Sequence, residues 1–290
     1  MYPWTERNGQ LSWLKLPFFV LTLAPGFWIA WQWQFELLGP KPVTEAIHQT
    51  GDWVIHFLML SLAITPLRFT GRWIKLVNVR RMLGVAAMTY AIIHLLLYVI
   101  LDQKFDLVMV ASEIVLRFYL TIGFIALLGL AALGATSTDA MISRLGATKW
   151  NRLHALVYPI AALGLVHFYI QSKLNVYEPV LMTGVFALLM FYRLLRKLAW
   201  PTNVFTLAGI GIAAAVTTAL VEALWYWLMR GVPMERVLWS HLNFAYEIRP
   251  AWWVLLAGVV LPLLSLVRKQ PAPRVRAASS PRQAAQMTDA

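Results

Sequence analysis

The sequence predicts an all-α protein, a polytopic bundle of transmembrane helices. Of its 290 residues, 60% are hydrophobic and only 13% are charged, whereas roughly a quarter of the residues in a soluble domain are charged. The apolar residues also form long runs, and a membrane-spanning helix needs about 20 mainly apolar residues. These observations exclude a soluble domain, a disordered chain and a nucleic-acid-binding protein. They make the lipid bilayer the first expected partner.

Eight runs are apolar and long enough to cross a bilayer, although the second and sixth need flanking residues to do so. Each must form a helix, because lipid offers the backbone no hydrogen-bond partner. In chain order, the predicted spans are residues 13–35, 53–67, 82–101, 115–135, 153–170, 180–195, 204–228 and 252–267.

The loops predict the orientation, because Lys and Arg accumulate on the cytoplasmic side of a membrane. The basic loops follow spans 2, 4 and 6, and the segment after span 8 is also basic, whereas the loops after spans 1 and 3 are mainly acidic. We therefore expect both termini to be cytoplasmic, and we explain the net charge of +12 in the same way. Residues 268–290 are rich in Pro, Ala, Ser and Arg, which predicts a disordered cytoplasmic tail.

The chain contains no cysteine, which excludes disulfides, thiolate clusters and c-type haem attachment. Histidines within the spans are the remaining candidates for metal ligands, because ionisable residues are costly in a membrane and usually functional there. His94 follows Arg81 by 13 residues, a rise of about 20 Å from the cytoplasmic edge. His167 follows Arg152 by 15 residues and lies at a similar depth.

Spans 3 and 5 are predicted to run in the same direction, so His94 and His167 lie at matching depths on parallel helices. Facing helices in a bundle can supply the axial ligands of a haem in this way. The alternative is that each histidine makes an ordinary hydrogen bond between helices. His154 lies near the cytoplasmic edge of span 5. In an ideal helix it does not share a face with His167, although Pro159 between them can kink the helix.

The other histidines have simpler interpretations. We expect His48 to lie in a loop before span 2 and His241 to be solvated in the last outer loop. His56, one turn inside span 2, is interpreted as a buried hydrogen-bonding residue or a pathway residue.

An ordered series of motifs resembles the MsrQ (YedZ) family, the haem-binding membrane subunits of periplasmic methionine-sulfoxide reductase systems within the ferric-reductase-like transmembrane group. The resemblance covers about residues 10–198. In this sequence the motifs are Thr50-Gly-Asp-Trp, Ile64-Thr-Pro-Leu-Arg68, Arg80-Arg-Met-Leu-Gly84 with His94, Leu116-Arg-Phe-Tyr-Leu-Thr-Ile-Gly123, Thr136-Ser-Thr138, Arg144-Leu-Gly146, Arg152-Leu-His154 and His167-Phe-Tyr169. One departure is Phe118, where the family pattern has proline.

The resemblance implies a six-helix b-type cytochrome in a bacterial inner membrane, formed by residues 1–200. It implies electron flow from quinol, or from a cytoplasmic flavin reductase, to a periplasmic molybdopterin subunit that reduces methionine sulfoxide in oxidised envelope proteins. His94, His154 and His167 match the family's ligand histidines by motif position. FMN binding is also associated with the family, without a residue to assign to it. Residues 201–267 add two spans that the six-helix core does not need.

The resulting hypothesis places one haem b between His94 and His167, toward the outer side. His154 belongs to an inner site, where the matching position on span 3 falls near Arg81. That site is left with three alternatives: a second haem with a different ligand, a flavin or a quinone.

Arg80, Arg81 and Arg152 are candidates for haem propionates or a flavin phosphate, since Arg binds such groups bidentately. The alternative is that they only obey the positive-inside rule.

The chain has no G-x-G-x-x-G motif or other nucleotide-binding domain. We therefore expect an electron-transfer subunit of an oxidoreductase complex, without a complete active site of its own. Two alternatives remain from other classes of protein. One is a haem relay that reduces periplasmic ferric iron. The other is a cofactor-free transporter, for which Glu222 is the main intramembrane acid.

Overall fold

The computed structural model describes residues 4–6, 8–173, 175–245 and 247–267. Within these ranges the regular structure is helical, apart from one isolated bridge between Thr5 and Leu11. Eight of the helical segments are long and apolar enough to cross a membrane. The predicted all-α transmembrane bundle with eight spans is therefore confirmed. The predicted tail at 268–290 lies outside the described residues.

The α-helices are named in chain order. They are α1 (Lys15–Gln34), α2 (Pro42–Thr70), α3 (Val77–Leu97), α4 (Leu107–Leu116), α5 (Phe118–Ala135), α6 (Asp139–Leu145), α7 (Ala147–His154), α8 (Val157–Ser172), α9 (Tyr177–Lys197), α10 (Val204–Arg230), α11 (Met234–Ser240) and α12 (Pro250–Val267).

The second span is longer than the sequence predicted, because α2 starts at Pro42, which occupies the first helical turn. Proline suits that position, since the first N–H groups of a helix have no intrahelical partner. His48 consequently lies within α2, so the prediction of a loop residue was wrong. The fourth span starts at Phe118 rather than at residue 115, because Arg117 is extended and separates α5 from the short apolar helix α4.

The core of the bundle is formed where α2 and α3 pack together with α5, α8 and α9. Packing rather than hydrophobic transfer holds such helices together, because lipid tails are as apolar as the helix surfaces. Tyr90 supplies the polar contact between the first helix and α3. The Tyr90 hydroxyl accepts from the Gly26 N–H at 2.7 Å and donates to the Thr22 carbonyl at 3.0 Å, so it fits between two backbone groups of α1.

The fifth span is interrupted between α7 and α8. Pro159 lies in the first turn of α8 and has no N–H to donate backward, so α7 ends at His154. His154 and His167 therefore belong to separate helices. The irregularity is local, because Ala155 and Leu156 keep right-handed helical backbone angles and residues 147–172 form one spanning segment.

The last two spans, α10 and α12, cross at a point of backbone contact. A Cβ built on Gly258 would lie 2.6 Å from the Cα of Gly211, so only glycine permits this approach. The pair packs against α9, where Gly184 accommodates Thr218 and Val254. A further tie joins α9 to the rest of the core. Arg193 donates to the Leu62 carbonyl at 2.7 Å, to the Leu189 carbonyl at 2.8 Å and to the Tyr158 hydroxyl at 3.1 Å.

Candidate functional site

Two of the predicted histidines face each other in the bundle. The ring centroids of His94 on α3 and His167 on α8 are 6.3 Å apart, and the rings are nearly perpendicular at 88°. An imidazole nitrogen lies roughly 2 Å from a bound metal ion and about 1.1 Å from its own ring centroid, so two imidazoles on opposite sides of one ion have centroids about 6 Å apart. The observed separation has this value, as one metal ion held by both rings requires.

Each imidazole is oriented by a backbone carbonyl of a neighbouring helix. The Nδ1 of His94 is 2.8 Å from the Ile47 carbonyl on α2, and the Nδ1 of His167 is 2.8 Å from the Tyr119 carbonyl on α5. A carbonyl only accepts, so Nδ1 carries the hydrogen in both rings. The Nε2 lone pair is then available in each ring, and neither Nε2 has a protein hydrogen-bond partner within the described ranges. This is the usual arrangement of a metal-binding histidine.

The same local geometry occurs twice. Gly51 follows Ile47 by four residues and Gly123 follows Tyr119 by four, so each glycine lies one turn beyond the accepting carbonyl. A Cβ on Gly51 would lie 3.1 Å from the His94 ring, and one on Gly123 would lie 2.7 Å from the Nδ1 of His167. The missing side chains allow each imidazole to reach the backbone of the next helix. Sequence reasoning missed this role, although both glycines lie in the motifs quoted above.

A cavity of about 1170 Å³ lies beside the two rings. Small-molecule and cofactor sites typically enclose about 300–1,000 Å³, so this space is ample for a haem. Its inner walls are apolar side chains of α2, α3, α5 and α8, among them Ile55, Leu95, Phe124 and Phe168. An apolar slot with two opposed imidazoles is the donor set that a bis-histidine haem requires.

The mouth of this cavity is polar. It is lined by the carboxylates of Glu45, Asp52, Asp102, Glu113, Glu178 and Glu247 and by the cations Arg117 and Lys173. One of the cations is already partnered, because Arg117 pairs with Glu113 at 2.6 Å. These residues come from loops and helix ends that the sequence places on the outer side.

The inner site is much smaller. A pocket of about 100 Å³ is lined by His154, Arg80, Arg81 and Trp150, among others. The His154 ring stacks on Trp150 with centroids 3.9 Å apart, and its Nε2 is 3.3 Å from the Thr136 hydroxyl. A macrocycle does not fit this pocket as it is packed. The pocket abuts the larger cavity, since Leu58 and Leu130 line both.

The structure thus brings the predicted site residues to two places. His94 and His167 line the large cavity, and His154, Arg80 and Arg81 line the inner pocket. Arg81 also pairs with Asp139. Arg152 is exposed on α7 and lines neither space.

Two of the three remaining histidines differ from their simplest interpretations. His48 lines the large cavity. His56 hydrogen-bonds as predicted, with Nδ1 2.8 Å from the Asp52 carbonyl and Nε2 2.9 Å from Glu178. His241 is buried, with only 7% of its surface exposed, and lies 3.2 Å from Glu222. The expectation of a solvated His241 was wrong because a buried carboxylate on α10 draws it inward.

The chain is similar to a known family and to several named bacterial proteins. The family described as "Ferric reductase like transmembrane component" matches residues 50–165. A relative from Xanthomonas euvesicatoria pv. vesicatoria named "Protein-methionine-sulfoxide reductase heme-binding subunit MsrQ" is 42% identical over 174 residues, which are 60% of this chain and 79% of the relative.

Proteins of the same name in two other bacteria match similarly. The one from Rhodospirillum rubrum is 39% identical over 189 residues, covering 65% of this chain and 88% of the relative. The one from Azospira oryzae is 36% identical over 199 residues, covering 67% of this chain and 85% of the relative. No solved structure matches the chain. The high coverage of these relatives identifies the chain as a member of the MsrQ family of protein-methionine-sulfoxide reductase heme-binding subunits.

Proposed function

We propose that this protein is the haem-binding membrane subunit of a methionine-sulfoxide reductase system, and that it carries electrons across a bacterial inner membrane. The acceptor is a periplasmic molybdopterin reductase that repairs oxidised envelope proteins. The donor is the quinol pool or a cytoplasmic flavin reductase. The observation that carries the proposal is the opposed pair of His94 and His167, 6.3 Å apart beside a cavity large enough for a haem.

A haem b held there would accept and release one electron at a time. The task of the protein is to bind and orient it. His94 and His167 present their Nε2 atoms from α3 and α8, while the carbonyls of Ile47 and Tyr119 fix both rings through Nδ1. The apolar walls exclude water, and this burial tunes the redox potential.

The inner pocket supports a more limited proposal. His154 stacked on Trp150, beside Arg80 and Arg81, lies between the large cavity and the end of the bundle predicted to be cytoplasmic. We propose that electrons enter at this end. A second haem or an FMN does not fit the packed pocket of about 100 Å³. Arg152, being exposed, is better suited to a partner surface than to a cofactor.

The first test is the visible spectrum of the detergent-purified protein, oxidised and dithionite-reduced, after expression with ample haem supply. We expect a low-spin b-type spectrum that is lost in His94→Ala and His167→Ala and retained in His154→Ala. His56→Gln is the matched control, a histidine change within a spanning helix but outside the cavity lining. A wild-type protein without haem, or haem loss in His154→Ala alone, would contradict the proposed site.

The acceptor needs a separate test, because the ferric-reductase-like match also suits a relay that reduces periplasmic iron. The purified, reduced protein is mixed with a molybdopterin methionine-sulfoxide reductase and methionine sulfoxide, or with ferric citrate. We expect fast haem reoxidation with the reductase and slow reoxidation with the iron complex. The reverse order of rates would favour the metal reductase.

The predicted orientation can be tested cleanly, because the chain contains no cysteine. Single substitutions Lys104→Cys and Lys149→Cys place one thiol at each predicted side. In intact spheroplasts a membrane-impermeant maleimide should label the first and not the second. The opposite pattern would reverse the proposed topology.

A further inference from the structure

The two C-terminal spans reach the mouth of the haem cavity. Glu247, in the segment just before α12, lines the cavity. The adjacent backbone is held to the cavity rim, since the Tyr177 hydroxyl donates to the Ile248 carbonyl at 2.8 Å. At the end of α10, Arg230 donates to the Lys173 carbonyl at 3.2 Å. Both Tyr177 and Lys173 are themselves cavity-lining residues. The extra spans therefore contribute to the wall of the cavity and contact its rim.

A charge network that runs from a buried carboxylate to an exposed one connects this wall to α10. Glu222 on α10 is 2% exposed. Its Oε1 is 3.2 Å from Nη1 of Arg249, and the same Nη1 is 3.2 Å from Oε1 of Glu247. The other oxygen of Glu222 lies 3.2 Å from Nε2 of His241. Arg249 thus bridges the buried carboxylate and the carboxylate at the cavity mouth.

The burial of Glu222 gives this bridge its rigidity. An ionised carboxylate within apolar helices is costly unless it is paired, so Glu222 retains Arg249 as a partner. Arg249 then holds Glu247 by its remaining contact. The charges within the network cancel when the imidazole is protonated, because two carboxylates then face one guanidinium and one imidazolium.

The acidic residues at the cavity mouth influence which charged partners approach it. Six acidic and two basic side chains line the cavity among the described residues. With Arg249 and Arg230 at its rim, the acidic side chains still outnumber the basic ones, so we expect a negative field at the mouth. Such a field raises the encounter rate with positively charged partners and lowers it with negatively charged ones.

We propose that Glu222 is a positioning residue for electron exit: acting through Arg249, it holds Glu247 in the cavity mouth, and the C-terminal spans thereby favour an acceptor that presents positive charge. This inference depends on the proposed haem in the cavity. The relatives do not share the full length of this chain, since 174 matched residues are 79% of the Xanthomonas protein but only 60% of this one.

The test uses small oxidants in place of the partner. The haem of the full-length protein, in a zwitterionic detergent at low salt, is reduced and then mixed in a stopped-flow instrument with hexaammineruthenium(III), a cation, or ferricyanide, an anion. The variants are Glu247→Gln and Glu222→Gln. Glu235→Gln is the matched control, because it removes the same charge from an outer helix whose residues do not line the cavity.

At low ionic strength, we expect Glu247→Gln to slow haem oxidation by the cation about three-fold and to accelerate haem oxidation by the anion about three-fold. Both effects should be much smaller at 1 M salt. Glu222→Gln should reproduce this change with an unaltered haem spectrum, and Glu235→Gln should have little effect. If Glu222→Gln does not fold, Glu222→Asp keeps the charge but shortens the side chain that reaches Arg249, and it should change the ratio of the two rates in the same direction.

The outcomes separate the two proposals. If Glu247→Gln changes the ratio of the two rates and neither bridge variant does, the positioning role is wrong. If none of these variants changes the ratio while the haem spectrum stays normal, the role of the C-terminal spans is wrong and the haem site stands. A wild-type protein without haem overturns the proposed function and this inference with it.

Discussion

Gly123→Ala is the sharpest test of the site geometry. The new Cβ would lie 2.7 Å from the Nδ1 of His167, which is 0.7 Å closer than the 3.4 Å at which ordinary contacts begin. Metal–ligand distances are held within roughly 0.2 Å. The imidazole must therefore move by more than its bond to a metal ion tolerates, and it loses its hydrogen bond to the Tyr119 carbonyl. We expect weaker haem retention and a high-spin component in the spectrum.

A graded series distinguishes this effect from general damage. Gly51→Ala approaches the His94 ring at 3.1 Å, which is only 0.3 Å too close, so we expect a low-spin haem with a shifted midpoint potential. Gly209→Ala meets no atom within 4 Å and serves as the control. Alanine favours a helix over glycine by up to about 1 kcal/mol, so lost helix propensity cannot explain a defect in the first two variants.

The assay is a redox titration of the purified variants, followed by their visible spectra and their haem-to-protein ratio. We expect the severity of the haem defect to decrease in the order Gly123→Ala, Gly51→Ala, Gly209→Ala. A Gly123→Ala protein with the wild-type spectrum, haem content and midpoint potential would refute the close packing of His167 against α5.

Three further predictions concern stability, measured as melting temperature in detergent. Arg193→Met removes three hydrogen bonds of a charged group, so we expect the free energy of unfolding to fall by about 2 kcal/mol. An unchanged melting temperature would show that these hydrogen bonds do not stabilise the bundle. Gly258→Ala forces a Cβ to within 2.6 Å of the Cα of Gly211, so it should lower the melting temperature and leave the haem spectrum intact. If the haem spectrum is lost as well, the core and the two added spans unfold as one unit. The adjacent carboxylate of Glu222 raises the pKa of His241 above its ordinary value. The contribution of this contact to stability is therefore complete below about pH 6.5 and is lost as the pH rises through the raised pKa. The melting temperature should fall over that range, and His241→Asn should flatten this pH dependence relative to the wild type.

The secondary structure was largely predictable from the sequence, since eight apolar runs correspond to the eight spanning segments of the structure. This works because each spanning segment must satisfy its own backbone hydrogen bonds, so hydropathy alone selects a helix. The matching depth of His94 and His167 was predictable for a related reason, since rise per residue converts position in the chain into depth. Their direct opposition, by contrast, depends on how the helices are rotated.

The errors had local physical causes. The expectation for His241 failed because its carboxylate partner lies on another helix. The expectation of a loop residue at His48 failed because α2 begins already at Pro42. The relation between His154 and His167, left open by the sequence, is settled only by the structure, in which they line separate spaces. Composition cannot indicate which side of a short helix faces a pocket.

The sequence by itself determined the class of protein, the number of spans, the depth of the paired histidines and, through its motifs, the family resemblance. These properties depend on composition and spacing along one chain. Only the tertiary structure decided which carbonyls orient the two imidazoles, why Gly51 and Gly123 must lack side chains, and how the last two spans reach the cavity mouth through Glu222 and Arg249. Each of these is a contact between residues of different helices, and its geometry is set by helix rotation and separation, which the order of residues within one helix does not specify.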